Sequence, residues 1–159
     1  MINEFEGVSG AIISEDEKYR YSLWRIWDKE LDSCMWIMLN PSTADATKND
    51  PTINKCIAYA KWWGYGSIFV CNLYAYRARD PKILEYVPDP VGPLCDQWLI
   101  TISKIAVLRM AAWGNNMLSH RRVNKVKSLM GPLSCLDISK SGNPKHPLYL
   151  RKTLLPRLF

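Results

Sequence analysis

Histidine is scarce in this chain: His120 and His146 are the two, and no cysteines form a C-x-x-C pair. The five cysteines, Cys34, Cys56, Cys71, Cys95 and Cys135, are odd in number and widely spaced. That inventory argues against a zinc or iron–sulfur site, so neither a metal nor any other cofactor is expected. Cys34 and Cys71 lie inside apolar runs and read as small core residues. No apolar run reaches the roughly 18 residues that span a bilayer, which excludes a membrane partner by that route. Also missing are G-x-x-x-x-G-K-[ST], G-x-G-x-x-G and G-x-S-x-G. ATP binding, dinucleotide binding and serine-nucleophile chemistry therefore lose their usual signatures. The opening stretch MINEFEGVSGAIISEDEKYR is acidic and lacks the basic-then-apolar order of a signal peptide, so the expected location is cytoplasmic.

What is present describes an ordinary globular chain. Its 159 residues are 48% hydrophobic and 23% charged, which suits a single domain over residues 1–159 with a real core. The net charge of +6 is unevenly placed. From His120 onward nine Lys/Arg face one Asp, a local balance of +8, and the first 119 residues carry −2. Such asymmetry fits a surface offered to phosphates, with DNA or a nucleotide as the partner; a solvated basic tail reads equally well on charge alone.

The apolar periodicity predicts an antiparallel hairpin from VSGAIIS (8–14) and YRYSLWRIW (19–27), joined by the charged turn EDEK. CMWIML (34–39) and SIFVCN (67–72) are apolar on both faces and suit buried central strands. Between them DPTINKCIAYAKWWGYG reads as a helix, with Asp50 as N-cap, Pro51 at the first helical position and Gly64 or Gly66 at its end. The four-proline segment LYAYRARDPKILEYVPDPVGP is long for a connection and is expected to be functional or partly helical. Residues 92–105 suggest a helix, 106–113 a third strand, SHRRVNKVKSLMG a helix capped by Ser119, and LSCLDI (133–138) a fourth strand. Alternation of strand and helix implies right-handed crossovers and a mostly parallel sheet with helices on both faces. Ligands of such sheets sit beyond the carboxyl ends of the strands. Four loops converge there: the ones carrying Asn40, Asn72, Trp113-Gly114 and Ser141–Pro147.

These loops hold polar chemistry suited to a nucleobase. Asn40, ahead of Pro41, can accept a hydrogen bond from a water and orient it, although it is too weak a base to deprotonate that water early. That suits a reaction in which the leaving group departs first, as an oxocarbenium-like N-glycosidic cleavage does. A turn-capping Asn is the structural alternative. Asn72 offers both donor and acceptor, the pattern that reads a base edge. Tyr74 and Tyr76 can supply a stacking face, or simply pack. His146, in a Gly/Pro-rich loop, can donate to an oxygen that gains charge as a base leaves, or be a surface histidine. Ser42, Thr43 and Ser141 offer hydroxyls, and Arg77, Arg79, Lys140 and Lys145 offer charge, for phosphate oxygens. His120 reads as a helix-surface residue.

The strings MWIMLNPSTADATKNDPTINKC, WWGYGSIFVCNLYAYRARDP, AAWG and SGNPKHPLYL resemble the family of domain of unknown function 1643, across roughly residues 19 to 150. More distantly, LNPS, VCNLYAYRARDP, AAWG and KHPLYL resemble the motifs of the uracil-DNA glycosylase superfamily. That resemblance implies a three-layer α/β/α sandwich and metal-independent hydrolytic removal of a flipped base, uracil or a modified one. It further implies that Asn40 holds the water, Asn72 reads the base and His146 stabilises the departing base anion. The sequence departs from the superfamily in reading Asn-Pro-Ser where relatives often carry Gly, and Leu-Tyr after His-Pro. Three readings stand at this point: a DNA glycosylase, an N-glycosidase for free nucleosides or nucleotides, and a nucleotide- or nucleic-acid-binding module without turnover.

Overall fold

A computed structural model describes residues 8–116 and 119–159; the first seven residues of the acidic N-terminal stretch lie outside the described residues. Seven strands form one sheet: β1 (Ser9–Ile13), β2 (Arg20–Ile26), β3 (Ser33–Met38), β4 (Ser67–Asn72), β5 (Leu108–Ala111), β6 (Ser134–Cys135) and β7 (Arg157–Leu158). They lie in the order β1-β2-β4-β3-β5-β6-β7. Helices α1 (Pro51–Trp62), α2 (Cys95–Ser103) and α3 (His120–Met130) join the parallel strands.

The hairpin is as expected, with β1 antiparallel to β2. The mostly parallel sheet is not: the sheet is mixed. β3/β4, β3/β5 and β5/β6 are parallel, whereas β1/β2, β2/β4 and β6/β7 are antiparallel, as are two isolated bridges. The reason lies in the connections. No helix separates β1, β2 and β3, so no crossover enforces parallel pairing there. β2 and β3 leave one strand position between them, which β4 fills, running against β2 and along β3. Hydrophobic runs specify burial, not direction. The predicted strand 133–138 shortens to Ser134–Cys135, because Asp137 turns to bind Ile138 N–H and the Lys145 N–H donates to the Asp137 carbonyl. The C-terminal segment supplies β7, which periodicity did not reveal.

Every residue of β2, β3 and β4 is buried, in keeping with apolar cover on both faces. On one face α1 packs Ile53, Cys56, Tyr59 and Ala60 against Trp36, Ile68 and Val70. The Trp36 and Trp63 rings stack there at 5.8 Å, and Tyr59 stacks on Trp63 at 5.2 Å. On the other, α2 and α3 place Leu99, Ile102, Val123 and Val126 against Met35, Ile37 and Phe69. Burying each such aliphatic side chain contributes about 2 kcal/mol. Helix α1 begins as its sequence dictates: Asp50 Oδ1 accepts from Ile53 N at 2.8 Å, and Pro51 fills the first helical position. The proline-rich connection after β4 contains a short 3-10 helix, Pro81–Tyr86, capped by Asp80. Among the described residues no helix is long and apolar enough to cross a membrane.

Candidate active site

β3 and β5 are neighbours whose following helices leave for opposite faces, α1 to one and α3 to the other. Such a divergence opens a crevice at the carboxyl ends of the strands. A cavity of about 590 Å³ lies there, walled by Met38, Leu39, Val70, Ile53 and Leu150 and carrying polar groups from four loops. Its size falls in the range of small-molecule sites. Asn40, Asn72 and His146 all line it.

Asn40 follows β3 with Leu39 between them. Its Nδ2 donates to the carbonyls of Pro41 at 3.0 Å and Ala78 at 2.9 Å. Both partners are acceptors, so they fix which end of the amide is nitrogen. Among the described residues Oδ1 has no donor, and it remains an acceptor for a ligand or a water. Asn72 ends β4 and is 2% exposed. Its amide nitrogen is shut from solvent and has no hydrogen-bond partner among the described residues. An unsatisfied buried amide costs about 1–3 kcal/mol, which folding alone does not justify.

His146 is held by its loop. Gly114 N–H donates to the Pro144 carbonyl and Lys145 N–H to the Asp137 carbonyl, both at 2.9 Å, tying the loop to the turn after β5 and to the segment after β6. Gly114 makes that turn with φ of +73°, a conformation that costs other residues strain. The His146 Nδ1 accepts from Leu148 N–H at 3.3 Å. The ring proton therefore resides on Nε2 when the imidazole is neutral. Burial lowers the imidazole's pKa below 6.5, opposed by the Asp50 carboxylate, so the ring is neutral at pH 7. A neutral imidazole with a donor at Nε2 can stabilise a developing anion without surrendering a full proton.

The remaining candidates divide. Ser42 lines the cavity and also, with Thr43, Arg77 and Arg79, an adjoining groove of about 400 Å³. Lys145 lines the cavity but is paired with Asp137 at 2.7 Å. Ser141 bonds the Asn115 amide oxygen at 2.9 Å on the rim, and Lys140 is exposed; neither lines the cavity. Nor do the two tyrosines. Tyr74 is buried in the core beside α3, and Tyr76 packs edge-on against Tyr19 with ring centres 5.7 Å apart. Cys71 is buried among apolar side chains that push its thiol up to about 12, which removes it as a nucleophile.

The polar and aromatic cavity residues that were not foreseen are Arg20, Asp50 in any role beyond its cap, Thr52, Asn115, Asn116 and Tyr149. Arg20 opens β2, and because β2 runs against β4 its first residue arrives at the carboxyl rim. Burial of its guanidinium lowers the pKa to about 10, with Asp50 acting in the opposite sense. Tyr149 is 94% exposed on the cavity lip, an aromatic face free for stacking. The signal for Tyr149 was its place two residues after His-Pro. For Arg20 there was none, since strand direction was not legible.

Residues 20–148 match the family described as Protein of unknown function (DUF1643). The chain belongs to this family. The match starts at Arg20 and ends just past His146, so it spans the cavity's residues from β2 to the histidine loop. Comparison with curated proteins and with solved structures returns no match.

Proposed function

We propose that this member of the family hydrolyses the N-glycosidic bond of a nucleotide, as a metal-independent DNA glycosylase acting on uracil or a modified base. One observation carries the reading: Asn40, whose carboxamide is anchored through its nitrogen, lines the same cavity as Asn72 and as His146, whose Nδ1 is already occupied by Leu148 N–H. The resemblance of LNPS, VCNLYAYRARDP, AAWG and KHPLYL to the motifs of the uracil-DNA glycosylase superfamily supports the same assignment, including a three-layer α/β/α architecture.

In this mechanism the base enters the cavity and Asn72 reads its edge, a contact worth about 1–3 kcal/mol of discrimination. The bond between C1′ and the base nitrogen breaks first, its electron pair leaving with the base. His146 Nε2–H donates to the base oxygen on which that charge collects. Asn40 Oδ1 accepts from a water whose oxygen then bonds to the oxocarbenium carbon, and the released proton passes to solvent or base. No strong general base is required, because the cation reacts readily with an oriented water. Flipping a base out of a duplex costs a few kcal/mol, which the cavity contacts and the basic C-terminal quarter must offset.

The test is incubation of the purified chain with oligonucleotides carrying uracil or modified bases, followed by alkaline cleavage at abasic sites. Base release is expected, with Asn40→Ala and His146→Ala each slower by about 10²–10³, the usual effect of removing one such polar contact to a transition state. Saturable binding of every substrate without release of any base would leave a binding module and end the enzymatic reading.

A further inference from the structure

Three arginines are buried in the described chain, Arg20, Arg25 and Arg122, and the fold uses them differently. Arg25 donates from Nε, Nη1 and Nη2 to Asn49 Oδ1 and to the carbonyls of Gly10, Trp24, Asp45, Ala46 and Lys48. It clamps the loop before α1. Arg122 donates to the Leu73 carbonyl and to Cys95 Sγ and forms an ion pair with Asp96 at 2.6 Å. Both guanidinium groups are satisfied by protein.

Arg20 is not. It is 3% exposed, yet among the described residues its Nη1 bond to the Ala44 carbonyl is its one side-chain hydrogen bond. Its Nε is buried without a partner, and no carboxylate among the described residues forms an ion pair with it. Asp50 acts on it only at longer range, and the carboxylate of Asp50 already caps α1 through Ile53 N–H. A buried cation lacking a counter-charge is costly, and proteins keep one where a ligand completes it. Arg20 is also the one of the three that lines the cavity.

The surroundings favour an oxyanion. Ser42 and Thr52 place hydroxyl-bearing residues in the same wall. Thr52 belongs to the first turn of the 12-residue α1, where Pro51 has no N–H and Asp50 already takes the Ile53 N–H, and where the helix dipole favours negative charge. A guanidinium fork matches phosphate oxygens two at a time. The cavity, at about 590 Å³, is also lined by residues other than the Asn72 that would hold a base and the Asn40 that would hold a water.

We propose that Arg20 receives a phosphate group of the substrate inside the cavity that also holds the base-reading Asn72, so that the ligand is a nucleotide unit and not a free base or bare nucleoside. This rests on the reading of Asn40, Asn72 and His146 as a nucleobase site. The phosphate can belong to a free nucleoside monophosphate or to the backbone next to a flipped base, and binding measurements separate these sources.

The experiment is calorimetric titration of the full chain with inorganic phosphate, with deoxyuridine and the four common deoxynucleosides, with their monophosphates, and with short single strands carrying the same bases. For at least one base the phosphorylated form is expected to bind about tenfold or more tightly than its nucleoside, with inorganic phosphate competing. Arg20→Met should abolish that preference, and Arg20→Lys should retain part of it. Tight monophosphate binding without oligonucleotide binding identifies a free nucleotide as the source; the converse identifies a nucleic-acid backbone. Equal affinity for nucleosides and their phosphates, or a preference that survives in Arg20→Met, overturns the proposal. Should Arg20→Met fail to fold, Arg20→Lys and phosphate competition on the wild-type chain decide it, and absence of phosphate or nucleotide binding overturns it. Because binding is read without turnover, a phosphate preference with no base release would sink the glycosidase reading and leave the Arg20 assignment standing.

Discussion

At the scale of single residues, the site is a set of polar groups with unfilled valences: the Asn40 oxygen, the Asn72 amide nitrogen and the Arg20 guanidinium. Burial of such groups opposes folding, so substitutions there and at satisfied sites should diverge. Arg25→Met is expected to destabilise the chain by about 3 kcal/mol, because it strips partners from several loop carbonyls. Arg20→Met should change stability by less than about 1 kcal/mol, since an apolar side chain removes a buried charge along with one bond. Parallel denaturant titrations check the pair. His146 adds a pH signature. Its folded pKa lies below 6.5, so between those two values the unfolded chain binds more protons than the folded one. Stability therefore falls as pH drops through that window and levels off below the folded pKa. In His146→Gln that component vanishes, which melting scans at several pH values would reveal by the flatter profile of the variant.

At the scale of elements, positioning comes from strand ends and from two tight connections. Leu73 N–H donates to the Met38 carbonyl at 2.8 Å and Ala112 N–H to the Ile37 carbonyl at 2.8 Å, so the exits of β3, β4 and β5 are locked level with one another. The turn at Gly114 then holds the histidine loop through the Pro144 carbonyl. Gly114→Ala forces a Cβ onto a φ of +73° and should cost about 1–2 kcal/mol, with a loss of ligand affinity as His146 shifts. Thermal melts and titration of the variant measure both. Much of this was legible beforehand. Apolar runs located the hairpin, β3 and β4; Asp50-Pro51 marked the start of α1; and polar residues after strands marked Asn40, Asn72 and His146 for the rim. Strand direction was hidden, because an apolar run looks alike whichever way it is crossed, and with it the arrival of Arg20. The tyrosines misled for a related reason: residues after a strand can continue its buried path, as Tyr74 does, while the exposed Tyr149 carries no periodic signal.

At the scale of the whole molecule, charge and cavity combine. The final quarter carries +8, and Tyr149 and Leu150 bring its chain to the cavity wall. The Lys55 ammonium donates to the Leu150 carbonyl and the Tyr59 hydroxyl to the Arg151 carbonyl, so this basic segment is pinned to α1 near the cavity. An oligonucleotide lying across it would release counterions, and its binding should weaken at least roughly tenfold for a fourfold rise in salt, the consequence of about two phosphate contacts. Filter binding across a salt series measures the slope; a salt-independent affinity would remove nucleic acid from the account. The single most direct measurement, however, concerns whether three side chains serve one ligand. In a nitrogen-labelled chain, the side-chain amides of Asn40 and Asn72 and the imidazole of His146 can be followed by NMR as a nucleotide is added. All three signals should move along one binding curve with one dissociation constant; a ligand that shifts one of them, or none, contradicts a shared nucleotide site.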